Sequence, residues 1–109
     1  MKIIALPEVE QYLEELKIIL FEKEYFSFEE EAQKYVDDLF LDIKTNLPAI
    51  LKRTAPPYFD RYGKGMYYAV FKKNKRTSWY AFFRIYEENG ERIYQIRYIA
   101  NNHTVAQHI

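Results

Sequence analysis

The clearest pattern in the sequence is a pair of aromatic-rich runs of alternating residues, one on each side of Asn89-Gly90. An Asn-Gly pair between such runs is the strongest short-range signal for a β-hairpin, because a type I′ turn needs a positive φ at both central residues. The turn also predicts a register, with Glu88 opposite Glu91 and Phe83 opposite Ile96. The sequence therefore predicts two paired strands, over about 76–87 and 91–102.

This register divides the hairpin into two faces, because successive side chains of a strand point to opposite sides. One face is predicted to be a core face: Trp79, Ala81, Phe83, Ile85, Tyr94, Ile96, Tyr98 and Ala100. The other is aromatic and carries arginine: Tyr80, Phe82, Arg84, Tyr86, Ile93, Gln95, Arg97 and Ile99. An apolar-rich sheet face with no helix over it indicates a surface that binds a partner.

Helical spacing of apolar residues predicts two helices before the hairpin. The first begins at Pro7, a residue that suits the first helical position. The second follows Ser27, which has Glu30 three residues later, the spacing of a capping box, and it runs to Pro48.

Further strands are predicted on either side of these helices. Lys2–Leu6 and Met66–Lys72 have the composition of strands, whereas the proline- and glycine-rich segment 48–65 is predicted to be irregular. Within that segment, 58–62 is expected to pack over the sheet with Asp60 and Arg61 solvated. The order β-α-α-β-β-β predicts an α+β fold, a mainly antiparallel sheet with an N-terminal helical hairpin on one face.

The size and composition favour a single globular domain over residues 1–109. There is no cysteine, which excludes disulfides and thiolate chemistry. No apolar run reaches the length of a membrane span, and the N-terminus is too short for a signal-peptide core. We therefore expect a cytoplasmic protein that does not associate with a membrane.

Charge is distributed unevenly along a chain whose formal net charge is zero. Residues 1–50 hold twelve acidic and five basic side chains, a net charge of −7, and residues 51–109 hold eleven basic and four acidic ones, a net charge of +7. One interpretation is a basic sheet surface for an anionic partner. The other is that two solvated helices simply happen to be acidic.

The element order and the residues within it resemble the RelE/ParE toxins of bacterial type II toxin–antitoxin systems. The likeness covers nearly the whole chain, from the short first strand to a last strand that ends in a histidine. Members often carry an Arg at the start of the penultimate strand before an apolar run containing Tyr, and Arg76–Phe83 (RTSWYAFF) fits this loosely. Members also often have a His followed by Arg after the last strand. Here His103 matches, while Thr104 stands where Arg is common and the overall charge is less basic than in RNA-cleaving members.

This resemblance implies one of two activities. RelE-like toxins cleave messenger RNA in the ribosomal A site without a metal or other cofactor, whereas ParE-like toxins inhibit DNA gyrase and are not known as nucleases. Both are neutralised by a cognate antitoxin that wraps the toxin. An antitoxin is accordingly an expected partner under either activity. The second partner is the ribosome with its mRNA if the protein cleaves RNA, or DNA gyrase if it inhibits that enzyme. A protein-interaction module without toxicity is a third hypothesis.

Metal-free RNA cleavage requires loss of a proton from the 2′-hydroxyl, stabilisation of charge on the phosphate and protonation of the 5′-oxygen. Arginine suits the phosphate because its planar fork binds bidentately, and histidine suits proton transfer because its pKa lies near neutrality. If both strands continue regularly, Arg76 lies opposite His103, roughly 5 Å away at the backbone. We take Arg76 and His103 as the candidate catalytic residues.

The candidate substrate-binding residues are polar or basic side chains of the same strands and their loop. They are Lys72, Lys73, Lys75, Ser78, Arg84 and Arg97. Ser78 is expected opposite Asn101, as the next rung beside the catalytic pair. Arg84 and Arg97 lie about 20 Å or more from that pair at ~3.3 Å per residue, so they belong to a separate binding surface with the aromatic residues as stacking partners.

Each of these assignments has an alternative. The aromatic–arginine face is at least as well suited to docking an antitoxin or a second copy in a homodimer, and the lysine loop has the composition of an ordinary solvated turn. His108 is expected in an exposed tail. A metal site formed by His103 and His108 lacks nearby carboxylates, so no metal is predicted.

Overall fold

The computed structural model describes all 109 residues. The strands are β1 (Lys2–Ala5), β2 (Arg53–Thr54), β3 (Tyr67–Lys72), β4 (Ser78–Glu88) and β5 (Glu91–Asn101). They form one sheet in the order β1-β5-β4-β3-β2, antiparallel throughout except for β1, which is parallel to β5. The helices are α1 (Pro7–Glu22), α2 (Glu29–Asn46) and α3 (Asn102–Val105), with 3₁₀ turns at Leu47–Ala49, Pro57–Tyr62 and Ala106–His108.

The predicted α+β class and the N-terminal helical hairpin are confirmed. The structure adds the two-residue strand β2 and the C-terminal helix α3 to the predicted order. None of the helices combines the length and apolarity that crossing a lipid bilayer requires.

The helices α1 and α2 bury one face against the sheet. Their fully buried positions recur every three or four residues, as Val9, Leu13 and Leu16 in α1 show. Together with sheet residues they form the larger cluster, which we call the helix-side core. Its buried members are Val9, Leu13, Leu16, Val36, Leu39, Ile43, Leu47, Ala69, Phe71, Trp79, Ala81, Phe83, Tyr94, Ile96 and Ile99.

The predicted capping box at the start of α2 is wrong. The helix begins at Glu29, so Phe28 occupies the N-cap position and makes no side-chain capping hydrogen bond. Ser27 therefore lies outside the helix. Glu30 is only two residues after the N-cap, whereas a capping box needs a glutamate three residues after it. Three acidic side chains in the first turn favour the helix instead through its dipole.

The hairpin turn at Asn89-Gly90 is confirmed, with φ of 53° and 78° at its two central residues. The predicted register holds from the turn to the Phe83–Ile96 pair. Beyond it Phe82 pairs with Tyr98, so Arg97 is an extra residue in β5 and forms a β-bulge. After this bulge the side chains of β5 point to the faces opposite to those predicted, because a shift of one residue exchanges the two faces of a strand.

The exchange corrects the predicted faces at three positions. Ile99 lies in the helix-side core, whereas Tyr98 and Ala100 lie on the opposite face. The predicted Ser78–Asn101 pair is also wrong, because Asn101 pairs with Trp79 and Ser78 pairs with Lys72.

The opposite face of the sheet is covered, contrary to the hypothesis of an open partner-binding surface. Its buried cluster, which we call the outer-face cluster, consists of Phe59, Met66, Tyr68, Phe82, Ala100 and Val105. The 3₁₀ turn at 57–62 supplies Phe59, whose ring stacks on Phe82 at 4.3 Å, while Asp60 and Arg61 are exposed as expected. The tail also packs here, since His108 stacks on Tyr58 at 3.5 Å instead of lying in an exposed tail.

Candidate functional site

The loop between β3 and β4 is closed by the side chain of Asn74. Its Oδ1 accepts the backbone N–H groups of Arg76 at 2.8 Å and Thr77 at 2.9 Å. The backbone N–H of Lys73 donates to the carbonyl of Thr77 at 2.9 Å. An asparagine in such a turn replaces missing backbone hydrogen bonds and holds one conformation. The loop therefore presents Lys73, Lys75 and Arg76 on a constrained backbone, beside Lys72 at the end of β3.

Asn102 joins this loop to the end of β5. Its Oδ1 accepts the backbone N–H of Ser78 at 3.0 Å, and its Nδ2 donates to the carbonyl of Arg76 at 3.1 Å. His103 is the next residue along the chain. A single side chain therefore brings the basic loop and the histidine to one corner of the molecule, which we call the basic corner (Lys72, Lys73, Lys75, Arg76 and His103).

The predicted strand pairing of Arg76 with His103 is wrong. Arg76 precedes β4, and β5 ends at Asn101, where the chain turns into α3. Asn101 caps that helix by accepting the backbone N–H of Thr104 at 3.0 Å. The link between the two segments is the hydrogen bond from Asn102, the residue before His103, to the backbone carbonyl of Arg76, and not a ladder of paired strands.

None of the cations in the basic half of the chain is neutralised by a carboxylate. The ion pairs in the structure are those of the N-terminus with Glu91, Lys17 with Glu14 and Asp37, and Lys34 with Asp38. No lysine or arginine from residues 51–109 takes part in one. The basic corner is therefore free to attract an anion.

Arg97 has a structural partner and is not part of an open binding surface. Its Nε donates to the carbonyl of Tyr62 at 2.6 Å, and its Nη1 donates to Oε1 of Gln95 at 2.8 Å. The next residue after Tyr62 is Gly63, where a Cβ would lie 2.6 Å from that same Nε. The bulged arginine thus fastens the 3₁₀ turn to the outer face of the sheet.

Arg84 is exposed and lies in the half of β4 near the Asn89-Gly90 turn, opposite Gln95. Six residues separate it from Ser78, or roughly 20 Å at ~3.3 Å per residue. The aromatic residues of this face cannot all stack on a bound base beside Arg84, since Phe82 is fully buried. The structure therefore keeps Arg84 apart from the basic corner.

A cleft of about 560 Å³ opens beside the basic corner, and we call it the hairpin cleft. It lies between α1, the link from α1 to α2, and the ends of β4 and β5. His103, Asn74, Thr77 and Asn101 form its polar wall, whereas Arg76 does not line it. His103 is exposed, and its imidazole makes no hydrogen bond to another side chain or to the backbone.

Tyr35 of α2 is the central aromatic residue of this cleft. The indole N–H of Trp79 donates to its hydroxyl at 2.9 Å, and the ring of Phe26 packs on it at 5.3 Å. The ammonium of Lys73 lies over the same ring, 5.3 Å from its centroid. A cation of the basic loop is thereby tied to the wall of the cleft.

Three groups in the protein have displaced pKa values. Burial raises the pKa of Tyr12, which lines the hairpin cleft. Burial, reinforced by the stacked phenol of Tyr62, raises the pKa of Tyr98 well above its usual range. Hydrogen bonds to Asp37 and Glu14 raise the pKa of Lys17 on α1. Both phenols therefore stay neutral at physiological pH.

Sequence reasoning missed the asparagines that build the site. Asn74 lies in a short polar loop between strands, a position typical of a turn-forming side chain. Asn101 has the residue type of a helix N-cap, and this signal was available in the sequence to predict α3. The bridging role of Asn102 had no local signal, because its partners lie 24 and 26 residues away.

Comparison with protein-family models, with curated proteins and with solved structures gives no match. The resemblance to RelE/ParE toxins thus rests on the motifs and the element order.

Proposed function

We propose that the protein is a RelE/ParE-like toxin of a type II toxin–antitoxin system that cleaves messenger RNA on the ribosome without a metal. The observation that carries this proposal is the basic corner, where Asn102, the residue before His103, hydrogen-bonds to the backbone carbonyl of Arg76. The fold supports it further, because β1, α1, α2, β3, β4 and β5 follow one another in the order that the resemblance implies. A cytoplasmic location, a cognate antitoxin and the ribosome as partner belong to the same proposal.

Each residue of the basic corner has a chemical role in this proposal. The guanidinium of Arg76 stabilises the charge that develops on the phosphate when the 2′-hydroxyl attacks it. The imidazole of His103 transfers a proton to or from the reacting oxygens. Lys72, Lys73 and Lys75 hold neighbouring phosphates as point charges, which suits binding that does not depend on sequence.

Induced expression in bacteria tests this proposal. We expect growth arrest with cleaved mRNA, and we expect His103→Ala to lower the cleavage rate by about 10²–10⁴-fold, the usual contribution of a general acid or base. Arg76→Ala should lower it by about 10²–10³-fold, as for loss of a group that stabilises developing charge. Arg92→Ala is the matched control, because Arg92 is exposed at the other end of the hairpin.

Arrest that persists in both Arg76→Ala and His103→Ala, at equal protein levels, would overturn the assignment of these residues. Absence of arrest in the unaltered protein would overturn the toxin proposal itself.

A second candidate is ParE-like inhibition of DNA gyrase without catalysis. The observation that favours it is the lack of a hydrogen-bond partner for the exposed imidazole of His103, because a catalytic histidine is usually oriented by a second group. Double-strand DNA breaks during growth arrest, with mRNA intact, would identify this activity. Under it, Arg76→Ala would weaken target binding, while His103→Ala would leave the arrest unchanged.

A further inference from the structure

The hairpin cleft has no carboxylate among its lining residues. Four other clefts of the surface each include at least one, for example Glu8, Glu10 and Glu22. Lys23 and His103 line the hairpin cleft, and the ammonium of Lys73 lies over the ring of Tyr35 in its wall. In a protein with sixteen acidic side chains, an acid-free cleft beside unpaired cations is complementary to an anionic ligand.

Hydrogen-bond donors remain free on the polar wall of the cleft. The Oδ1 atom of Asn74 is occupied by two backbone N–H groups, and that of Asn101 is occupied by the backbone N–H of Thr104. These bonds fix the orientation of both amides and leave each Nδ2 without an acceptor. With the ammonium of Lys23, the wall favours a ligand that presents acceptors.

The apolar wall offers a flat aromatic surface. Tyr25 lines the cleft although 70% of its surface is exposed, and Phe26 packs beside it on Tyr35. Aromatic side chains next to cations are the means by which proteins bind unstacked bases of single-stranded nucleic acid. Among the bases, guanine presents two adjacent acceptors, O6 and N7, whereas adenine has a donor at N6.

We propose that the hairpin cleft binds one unstacked guanine of single-stranded RNA. The base stacks on Tyr25 and accepts hydrogen bonds from the amides of Asn74 and Asn101, while the adjoining phosphates lie on the basic corner. This inference rests on the proposed function, since it names the base that is held beside the cleavage site. It predicts a sequence preference at a position next to the cleaved bond.

Trp79 provides the readout, because it is the only tryptophan and it lines the cleft. The purified full chain is titrated at low ionic strength with a single-stranded RNA tetranucleotide that has one central guanine, and Trp79 fluorescence is followed. Two further tetranucleotides carry adenine or an abasic site at the same position. We expect the guanine oligomer to bind about tenfold more tightly than either.

Two matched pairs of variants locate the site. Tyr25→Ala should weaken binding of the guanine oligomer about tenfold, whereas Phe28→Ala should not, although Phe28 is similarly exposed at 65%. Lys73→Ala should weaken binding several-fold, whereas Lys52→Ala should not. Lys52 lies over the ring of Tyr67 at 5.4 Å, a matching arrangement outside the cleft. Thermal unfolding of each variant checks that the fold is retained.

Equal affinity for the three oligomers would overturn the inference, as would equal effects of Tyr25→Ala and Phe28→Ala. The inference would also be overturned if Trp79 fluorescence changed on addition of an amphipathic peptide and did not change with any of the three RNA oligomers. That result would identify a protein-docking cleft. The measurement needs neither the ribosome nor cleavage. Loss of guanine preference with intact toxicity would therefore reject this inference alone, whereas guanine binding without toxicity would reject the proposed function alone.

Discussion

The two faces of the sheet are covered by different kinds of structure. On one face, two helices of 16 and 18 residues pack regularly spaced apolar side chains into the helix-side core. On the other face, a 3₁₀ turn and a short tail cover the outer-face cluster of six buried residues. The first face depends on periodic elements, and the second depends on single anchoring residues such as Phe59 and Arg97. We therefore expect the two faces to differ in how they lose stability.

The largest effect is expected from Phe83→Ala in the helix-side core. Phe83 is fully buried against Tyr67 and Tyr94, so its truncation should lower the free energy of unfolding by about 3–5 kcal/mol. This loss is comparable with the total stability of a small domain, about 5–15 kcal/mol. Chemical denaturation followed by circular dichroism measures it, and a loss below about 1 kcal/mol would contradict the role given to this core.

A somewhat smaller and more local effect is expected from Phe59→Ala in the outer-face cluster. The cost should be about 3 kcal/mol, because the 3₁₀ turn and the tail can shift to fill part of the space. Hydrogen exchange should show lost protection at 57–62 and 102–108 while α1 and α2 stay protected. Uniform loss of protection along the chain would show instead that the two faces unfold as one unit.

Gly63→Ala tests the attachment of the 3₁₀ turn to the bulge. Gly63 has φ of 143°, and a Cβ there would meet Nε of Arg97, so the substitution should cost about 1–3 kcal/mol. In an Arg97→Ala background the collision is removed and only the backbone strain remains, so the cost should be smaller. An equal cost in both backgrounds, measured by thermal unfolding, would show that the arginine does not restrict this position.

The smallest effect concerns pH and Tyr98. Its pKa is raised in the folded protein above the ordinary value of 10.0, mainly by burial. The unfolded chain therefore loses this proton at a lower pH than the folded protein does. The stabilisation is complete below pH 10.0 and decreases as pH rises beyond it. Tyr98→Phe should make stability fall less steeply above that pH, whereas Tyr86→Phe, at the turn end of β4, serves as the control.

The sequence predicted the helix-side core because its signals are local. Apolar spacing located α1 and α2, and Asn89-Gly90 fixed the register as far as Phe83 and Ile96. The bulge at Arg97 could not be predicted in the same way, because its cause is tertiary. The arginine side chain bonds to the carbonyl of Tyr62, 35 residues away in sequence.

The candidate site was predicted in part and for an incorrect reason. Arg76 and His103 were expected as a strand pair, and this pairing is wrong because β5 ends at Asn101. The structure instead joins the backbone of Arg76 to Asn102, the residue before His103. The hairpin cleft was not predicted, because Tyr25, Tyr35 and Trp79 come from three separate elements. None of these residues by itself indicates a cleft in the sequence, and only the fold places them around one space.

The separation of charge between the two halves of the chain also has a consequence for how the protein behaves in solution. Residues 1–50 carry a net charge of −7 and residues 51–109 one of +7, and no lysine or arginine of the basic half forms an ion pair. Near its isoelectric point of about 6.7 the protein has no net repulsion between copies. Acidic and basic surfaces of different molecules should therefore attract one another in dilute buffer, and added salt, which screens charge over about 10 Å at 0.1 M, should dissolve such assemblies.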